Sequence, residues 1–148
     1  MKLSTKGRYG VKAMFDLALR GGDTPLPIKT IAERQGISEA YLEQLVASLR
    51  KAGLVESVRG AQGGYLLAHS PKDITVGSVI RTLEGSMAPA DCVAENNKVE
   101  CEKLDYCVTR PIWEKIRISV DNVIDSITLQ DMVDDYNSQT NDKTMFYI

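Results

Sequence analysis

Residues 31–55 constrain the fold of this chain more than any other stretch. Gly36 lies where the chain must turn sharply, a place that suits a residue free to adopt positive φ. Ser38 then offers a side-chain oxygen to cap a following helix. That helix has apolar residues at positions i, i+3, i+4 and i+7, which are Leu42, Leu45, Val46 and Leu49. The order of these signals predicts a helix, a tight turn, a second helix and the start of a strand.

The polar face of the second predicted helix carries side chains that can meet base edges and phosphates. This face carries Glu43, Gln44 and Arg50, and the helix begins with Ser38 and Tyr41 in its cap and first turn. We therefore interpret this helix as a candidate recognition helix for DNA.

Residues 55–67 form two short strand-like runs joined by a loop with three glycines, which predicts a β-hairpin. Arg59 stands at the base of the loop and Gln62 at its tip. A basic residue beside a glycine-rich tip suits a wing that lies along or inside a minor groove. The alternative is a surface hairpin whose glycines serve turn geometry only. Because the hairpin directly follows a helix-turn-helix, we favour the DNA-binding wing.

Charge is distributed unevenly along the 148 residues, whose net charge is −2. Residues 1–66 contain ten Lys and Arg against six Asp and Glu, whereas residues 67–148 contain eight against fourteen. The predicted helix-turn-helix part is thus basic and the remainder acidic, an asymmetry that favours DNA binding by the basic part. The alternative is chance variation of the surface charge.

No run of about 18 consecutive apolar residues occurs, so we expect no membrane span. No apolar segment follows the charged N-terminus, and we expect a cytoplasmic protein. A nucleophile–base pair and a phosphate-binding loop are also lacking, and a single histidine leaves little for acid–base catalysis. We therefore do not expect an enzyme.

The remaining helices complete the predicted organisation, which is mainly α with a small β-hairpin wing. A first helix is expected over about 5–20, and a short one after the cap Thr75 that ends at Gly85. A long helix begins near Thr109, with Pro111 tolerated in its first turn. Its apolar stripe consists of Ile112, Ile116, Val120, Val123, Ile124 and Ile127.

This long helix predicts a homodimer, because a long amphipathic helix beside a small winged domain needs a partner and a two-fold dimer suits DNA reading. The alternative is a helix folded back on its own domain. We divide the chain into a winged helix-turn-helix domain (1–84), a cysteine segment (85–107), a dimerisation helix with a short following helix (108–136) and a mobile tail (137–148).

Three cysteines, Cys92, Cys101 and Cys107, fall within sixteen residues of the cysteine segment. Structural zinc sites commonly use closely spaced pairs of cysteines, which this spacing lacks. Clustered soft thiolates suit an iron–sulfur cluster with a fourth ligand from elsewhere. A redox switch of the thiols is the competing interpretation, although the many acidic neighbours should raise the thiol pKa values. The third interpretation is a segment that holds no cofactor.

These motifs together resemble the Rrf-type winged helix-turn-helix regulators, in particular the IscR-like branch. The resemblance rests on residues 1–10, 37–45, 49–55, 58–66 and the three cysteines. It implies a homodimer that binds near-palindromic promoter DNA and an iron–sulfur cluster, most simply [2Fe-2S], on Cys92, Cys101 and Cys107. It also implies that Glu43, with Gln44 beside it, reads cytosine, and that Arg59 is the wing arginine.

Several positions depart from the IscR-like pattern. Ala40 replaces a serine, Arg110 stands where a ligating histidine is expected, and Arg8 stands where another branch has an acidic ligand. The fourth ligand is therefore unassigned. It could be a group from the partner subunit, an exogenous thiol, or a carboxylate such as Glu100, Glu102, Asp105 or Glu114. The resemblance implies a regulator, most simply a repressor, of genes for iron–sulfur assembly or sulfur metabolism.

The C-terminal residues Met145, Phe146, Tyr147 and Ile148 resemble the end of CymR-like repressors. This likeness implies that the tail binds cysteine synthase, whose active site accepts a terminal isoleucine carboxylate. It offers an alternative function: a cysteine-metabolism repressor controlled by that enzyme, without a cluster.

Overall fold

The structure, a computed structural model, describes residues 2–96 and 100–145. Its helices and strands are α1 (Thr5–Asp16), α2 (Ile28–Gln35), α3 (Glu39–Lys51), β1 (Val55–Val58), β2 (Gly64–Leu67), α4 (Val76–Glu84), α5 (Arg110–Ser126) and α6 (Leu129–Met145). A π-helical turn, Leu17–Gly21, extends α1, and 3-10 turns occupy Pro71–Asp73, Asp91–Val93 and Leu104–Tyr106. The prediction of a mainly helical winged helix-turn-helix is confirmed.

Side-chain caps form where the sequence predicts that α3 and α4 begin. The hydroxyl of Ser38 accepts a hydrogen bond from the backbone N–H of Tyr41 at 3.2 Å, and Thr75 caps α4 through Ser78 at 3.1 Å. Between α2 and α3, Gly36 has φ +66°, the left-handed conformation that glycine adopts without a Cβ clash. The turn of the helix-turn-helix therefore forms where the sequence predicts it.

The hydrophobic core lies between α1, α2, α3 and α4, and it also includes the first residue of α6. Met14, Ile31, Leu42, Leu49, Ile74, Val79 and Leu129 are each at most 1% exposed. The backbone N–H of Leu129 donates to the carbonyl of Ile74 at 2.9 Å. The predicted boundaries placed residues 108–136 outside the winged domain, whereas the start of α6 belongs to its core.

The hairpin is antiparallel, with Val55 opposite Leu67 and Val58 opposite Gly64. Leu26 and Tyr65 exchange backbone hydrogen bonds of 3.0 and 2.8 Å, which fix the wing to the segment before α2. Gly64 has φ +156°, and a Cβ there would overlap the backbone of Leu26. A side chain at this position would therefore separate the wing from the domain.

Helix α5 lies partly against α4 and is partly open to solvent. Arg81 of α4 binds Asp125 at 2.7 Å and Asp121 at 3.1 Å, while Val76 donates to the carbonyl of Ile127 at 2.8 Å. These contacts hold the end of α5 on the winged domain. Exposed apolar side chains on and after the helix are Ile112, Ile118, Val123 and Ile127.

Helix α6 is longer than expected. It continues to Met145 through a region predicted as a mobile tail, and the Tyr136 ring meets Phe15 of α1 edge-on at 5.6 Å between ring centroids. Asn and Ser have only moderate helix propensity, and their abundance after Tyr136 obscured this helix.

Within the described residues, none of the helices is long and apolar enough to cross a bilayer.

Candidate nucleic-acid interface and cysteine segment

Helix α3 separates the two faces that its sequence predicts. Leu42, Leu45, Val46 and Leu49 are buried, which fixes the rotation of the helix on the core. Glu43, Gln44 and Arg50 are exposed on the opposite face. Packing of the apolar face therefore directs these three polar side chains away from the core.

The two predicted residues at the start of α3 have structural contacts of their own. Ser38 is exposed and caps the helix. Tyr41 is half-buried, its ring meets Tyr9 edge-on at 6.1 Å, and its hydroxyl lies 3.3 Å from Oγ1 of Thr5. The start of α1 is thus in contact with the start of α3, a relation that no local sequence signal indicates.

The structure brings the wing and the recognition helix to one groove. Arg50 of α3 and Arg59 of the hairpin both line it, beside Pro27, Ile28 and Tyr65. Arg59 and Gln62 are exposed. Neither arginine has an ion-pair partner among residues 2–96 and 100–145, so both charges are available to a phosphate or a base.

The cysteines occupy three different environments along the segment between α4 and α5. Cys92 is half-buried in the turn Asp91–Val93, Cys101 is exposed, and Cys107 is half-buried just before α5. Over the part of the segment that the structure describes, no three His, Cys, Asp or Glu side chains are gathered to hold a metal ion. The donor set fits an iron–sulfur cluster in its chemistry, although the described arrangement does not assemble it.

Cys107 differs from the prediction that acidic neighbours raise the thiol pKa values. The hydroxyl of Thr109, 3.3 Å from Sγ, and the backbone N–H groups of Thr109 and Arg110 lower the pKa of Cys107. The Thr109 hydroxyl and the amides at the start of α5 therefore outweigh the acidic composition at this position, because they bind the thiolate directly whereas solvent screens the exposed charges.

The predicted fourth-ligand candidates are carboxylates on or after the segment. Glu100, Glu102 and Asp105 are exposed, and Glu114 is half-buried in the first turns of α5. The one histidine, His69, is exposed after the wing. It lines a shallow cavity with Leu17, Asp23 and Pro71, among residues that include none of the three cysteines.

Comparison with known proteins identifies relatives along nearly the whole chain. The family model Rrf2, described as "Iron-dependent Transcriptional regulator", matches residues 3–135. The transcriptional regulator CymR of Bacillus subtilis (strain 168) is 44% identical over 148 residues, which is 100% of both chains.

Two solved structures share the fold. The structure of T. potens IscR has a TM-score of 0.75 and 55% identity, covering 92% of this chain and 88% of that one. The structure of B. subtilis CymR, described as a global cysteine regulator, has a TM-score of 0.73 and 46% identity, covering 90% of this chain and 97% of that one.

Proposed function

Because this chain belongs to the Rrf2 family of transcriptional regulators, we propose that it is a homodimeric repressor that reads promoter DNA with α3 and the hairpin wing. The observation that carries the proposal is the groove shared by Arg50 and Arg59, beside the exposed Glu43 and Gln44. Unpaired cations and hydrogen-bonding side chains on one rigid surface are what DNA recognition requires.

The exposed residues divide into base-reading and backbone-contacting roles. The carboxylate of Glu43 accepts a hydrogen bond from the amino group of cytosine in the major groove, and Gln44 reads the neighbouring base. Arg59 enters the minor groove, which attracts guanidinium groups. The residues assigned to phosphates are Ser38, Tyr41, Arg50 and Gln62.

The exposed apolar residues of α5 support a homodimer. Val123 is 59% and Ile112 50% exposed in the single chain, and burying such side chains against a second copy stabilises association. A two-fold dimer places two copies of α3 about one turn of DNA apart. This arrangement would match a near-palindromic site.

Replacing Arg59 with Ala tests the DNA surface. Loss of one groove contact should weaken binding to a cognate duplex by about 1–3 kcal/mol, measured by fluorescence anisotropy. Lys72→Ala, which removes an exposed positive charge on the turn Pro71–Asp73, is the matched control and should bind normally. Equal affinities of the Arg59 and Lys72 variants would contradict the proposed surface.

For sensing, we propose that Cys92, Cys101 and Cys107 hold an iron–sulfur cluster, most simply [2Fe-2S]. Such a cluster supplies a reversible one-electron centre that can also be lost. The lowered pKa of Cys107 favours the thiolate that a metal needs. The cysteine segment joins α4 to α5, so a change in its shape acts on the dimer helix and on the spacing of the two recognition helices.

An absorption spectrum of protein purified without oxygen, with iron and sulfide assayed on the same sample, tests the cluster. Broad visible bands should be present in the wild type, absent in Cys101→Ala and retained in the control Ser86→Ala. A colourless and iron-free wild-type protein would contradict the cluster.

A second candidate is a repressor of cysteine metabolism controlled by cysteine synthase. It is favoured by the full-length match to CymR and by the described residues, among which no three potential metal ligands are gathered. Met145 ends α6, and Phe146, Tyr147 and Ile148 lie outside the described residues. Deleting residues 146–148 should abolish co-elution with cysteine synthase; unchanged co-elution would refute the role of the tail.

A further inference from the structure

Glu84, the last residue of α4, holds the first turn of α1. Its Oε1 accepts hydrogen bonds from the backbone N–H of Ser4 at 3.0 Å and of Gly7 at 2.9 Å, and from the hydroxyl of Ser4. Free N–H groups at a helix start need such acceptors. A carboxylate from a distant part of the chain therefore caps α1 and supplements the cap formed by Ser4 itself.

The close approach of α4 to α1 depends on two glycines of α1. A Cβ on Gly7 would lie 2.8 Å from Oε1 of Glu84, and a Cβ on Gly10 would overlap the side chain of Leu83. Both glycines are buried. The end of α4 thus fits directly onto the backbone of α1, and this contact leaves little freedom to either helix.

The same turn of α1 touches the start of the recognition helix. Thr5 lies between Ser4 and Gly7 in the chain, and its Oγ1 is 3.3 Å from the hydroxyl of Tyr41. Tyr9, one turn further along α1, meets the Tyr41 ring edge-on. Tyr41 precedes Glu43 by two residues in α3. Contacts therefore run without interruption from Glu84 through the start of α1 to the first turn of α3.

We infer that Glu84 is a positioning residue of the DNA-binding surface: it fixes the start of α1 and, through Thr5 and Tyr9, the position of Tyr41 at the start of the recognition helix. The inference rests on the proposed role of α3 in reading DNA. Hydrogen bonds, first that of the Ser4 hydroxyl, lower the pKa of Glu84, so the carboxylate is ionised at neutral pH. Gly85 follows Glu84 and begins the cysteine segment, so a displacement of that segment acts first on this contact.

The test compares Glu84→Ala with Glu84→Gln in the full-length protein. All three hydrogen bonds use one oxygen of Glu84, so a glutamine amide oxygen can replace it, whereas alanine cannot. The DNA probe is a fluorescent duplex that the wild-type protein has selected from a random pool. Glu84→Ala should bind it roughly threefold to tenfold more weakly, the factor expected for loss of a helix cap. Glu84→Gln should bind within about twofold of the wild type.

Two further variants separate positioning from charge and from unfolding. Asp73→Ala removes an exposed carboxylate on the turn Pro71–Asp73 and should bind like the wild type. Thr5→Val leaves the bonds of Glu84 intact but removes the hydroxyl beside Tyr41, and it should also weaken binding. Amide hydrogen exchange should accelerate in Glu84→Ala over the first turns of α1 and α3, while the second half of α3 stays protected.

Several results would overturn the inference. The first is a wild-type affinity for DNA in both Glu84→Ala and Thr5→Val. The second is an equal loss of DNA affinity in Glu84→Ala and Glu84→Gln. The third is unchanged amide hydrogen exchange in the first turn of α3 in Glu84→Ala. If Arg59→Ala also binds normally, the proposed DNA surface itself fails. If Arg59→Ala binds weakly while Glu84→Ala does not, the positioning role alone fails.

Discussion

Replacing Leu129 with Ala tests whether α6 belongs to the core of the winged domain. Leu129 is 0% exposed and contacts a cluster that includes Ile74 and Val79. Leu→Ala substitutions at fully buried sites cost about 3–5 kcal/mol, because the lost transfer free energy adds to the cost of the cavity. We expect the upper part of that range, since the backbone hydrogen bond to Ile74 keeps the site from collapsing.

The free energy of unfolding should be measured by urea denaturation at one protein concentration, because the stability of a dimer depends on concentration. Gln139→Ala, at an exposed position on the same helix, is the control and should change stability by less than about 0.5 kcal/mol. A loss below about 1 kcal/mol in Leu129→Ala would refute the placement of α6 in the core.

Two further perturbations address the dimer and the α4–α5 contact. Val123→Asp should convert the protein to monomers in sedimentation experiments, because a charge on an apolar interface stays unpaired; an unchanged dimer would exclude this face. Hydrogen bonding to Arg81 lowers the pKa of Asp125 below its ordinary value of 3.8. The Arg81–Asp125 pair therefore stabilises the folded protein above pH 3.8, and this stabilisation is lost as the pH falls through the lowered pKa. In Asp125→Asn, the free energy of unfolding measured by urea denaturation should fall less steeply as the pH is lowered through this range. The same decrease in the variant and the wild type would contradict the pairing.

The helix-turn-helix could be predicted from the sequence because its determinants are local. The spacing of Leu42, Leu45, Val46 and Leu49 sets which face of α3 is buried, and Ser38 and Gly36 set where the helix begins. The wing follows from the same kind of local signal, since glycines at the tip join two short apolar runs. These local features predict the exposed positions of Glu43, Gln44 and Arg59 without reference to any tertiary contact.

Features that depend on distant contacts could not be predicted in this way. Asp16 lies on the buried side of α1, where Arg34 of α2 binds it through one hydrogen bond and one ion-pair contact, both of 3.0 Å. Nothing near Asp16 in sequence indicates this partner. The return of α6 to the core likewise depends on Leu129 reaching Ile74. Gly7 and Gly10 were the one available signal for the α1–α4 contact, because glycine inside a helical pattern often marks close packing.

The most direct test of the central claim compares the DNA sequences that the wild type and Glu43→Ala select from one random pool. Glu43 is exposed, so the substitution should leave the stability nearly unchanged. The account predicts that the variant still selects duplexes but loses the preference for cytosine at one position in each half-site. An identical preference in both proteins would contradict base reading by α3.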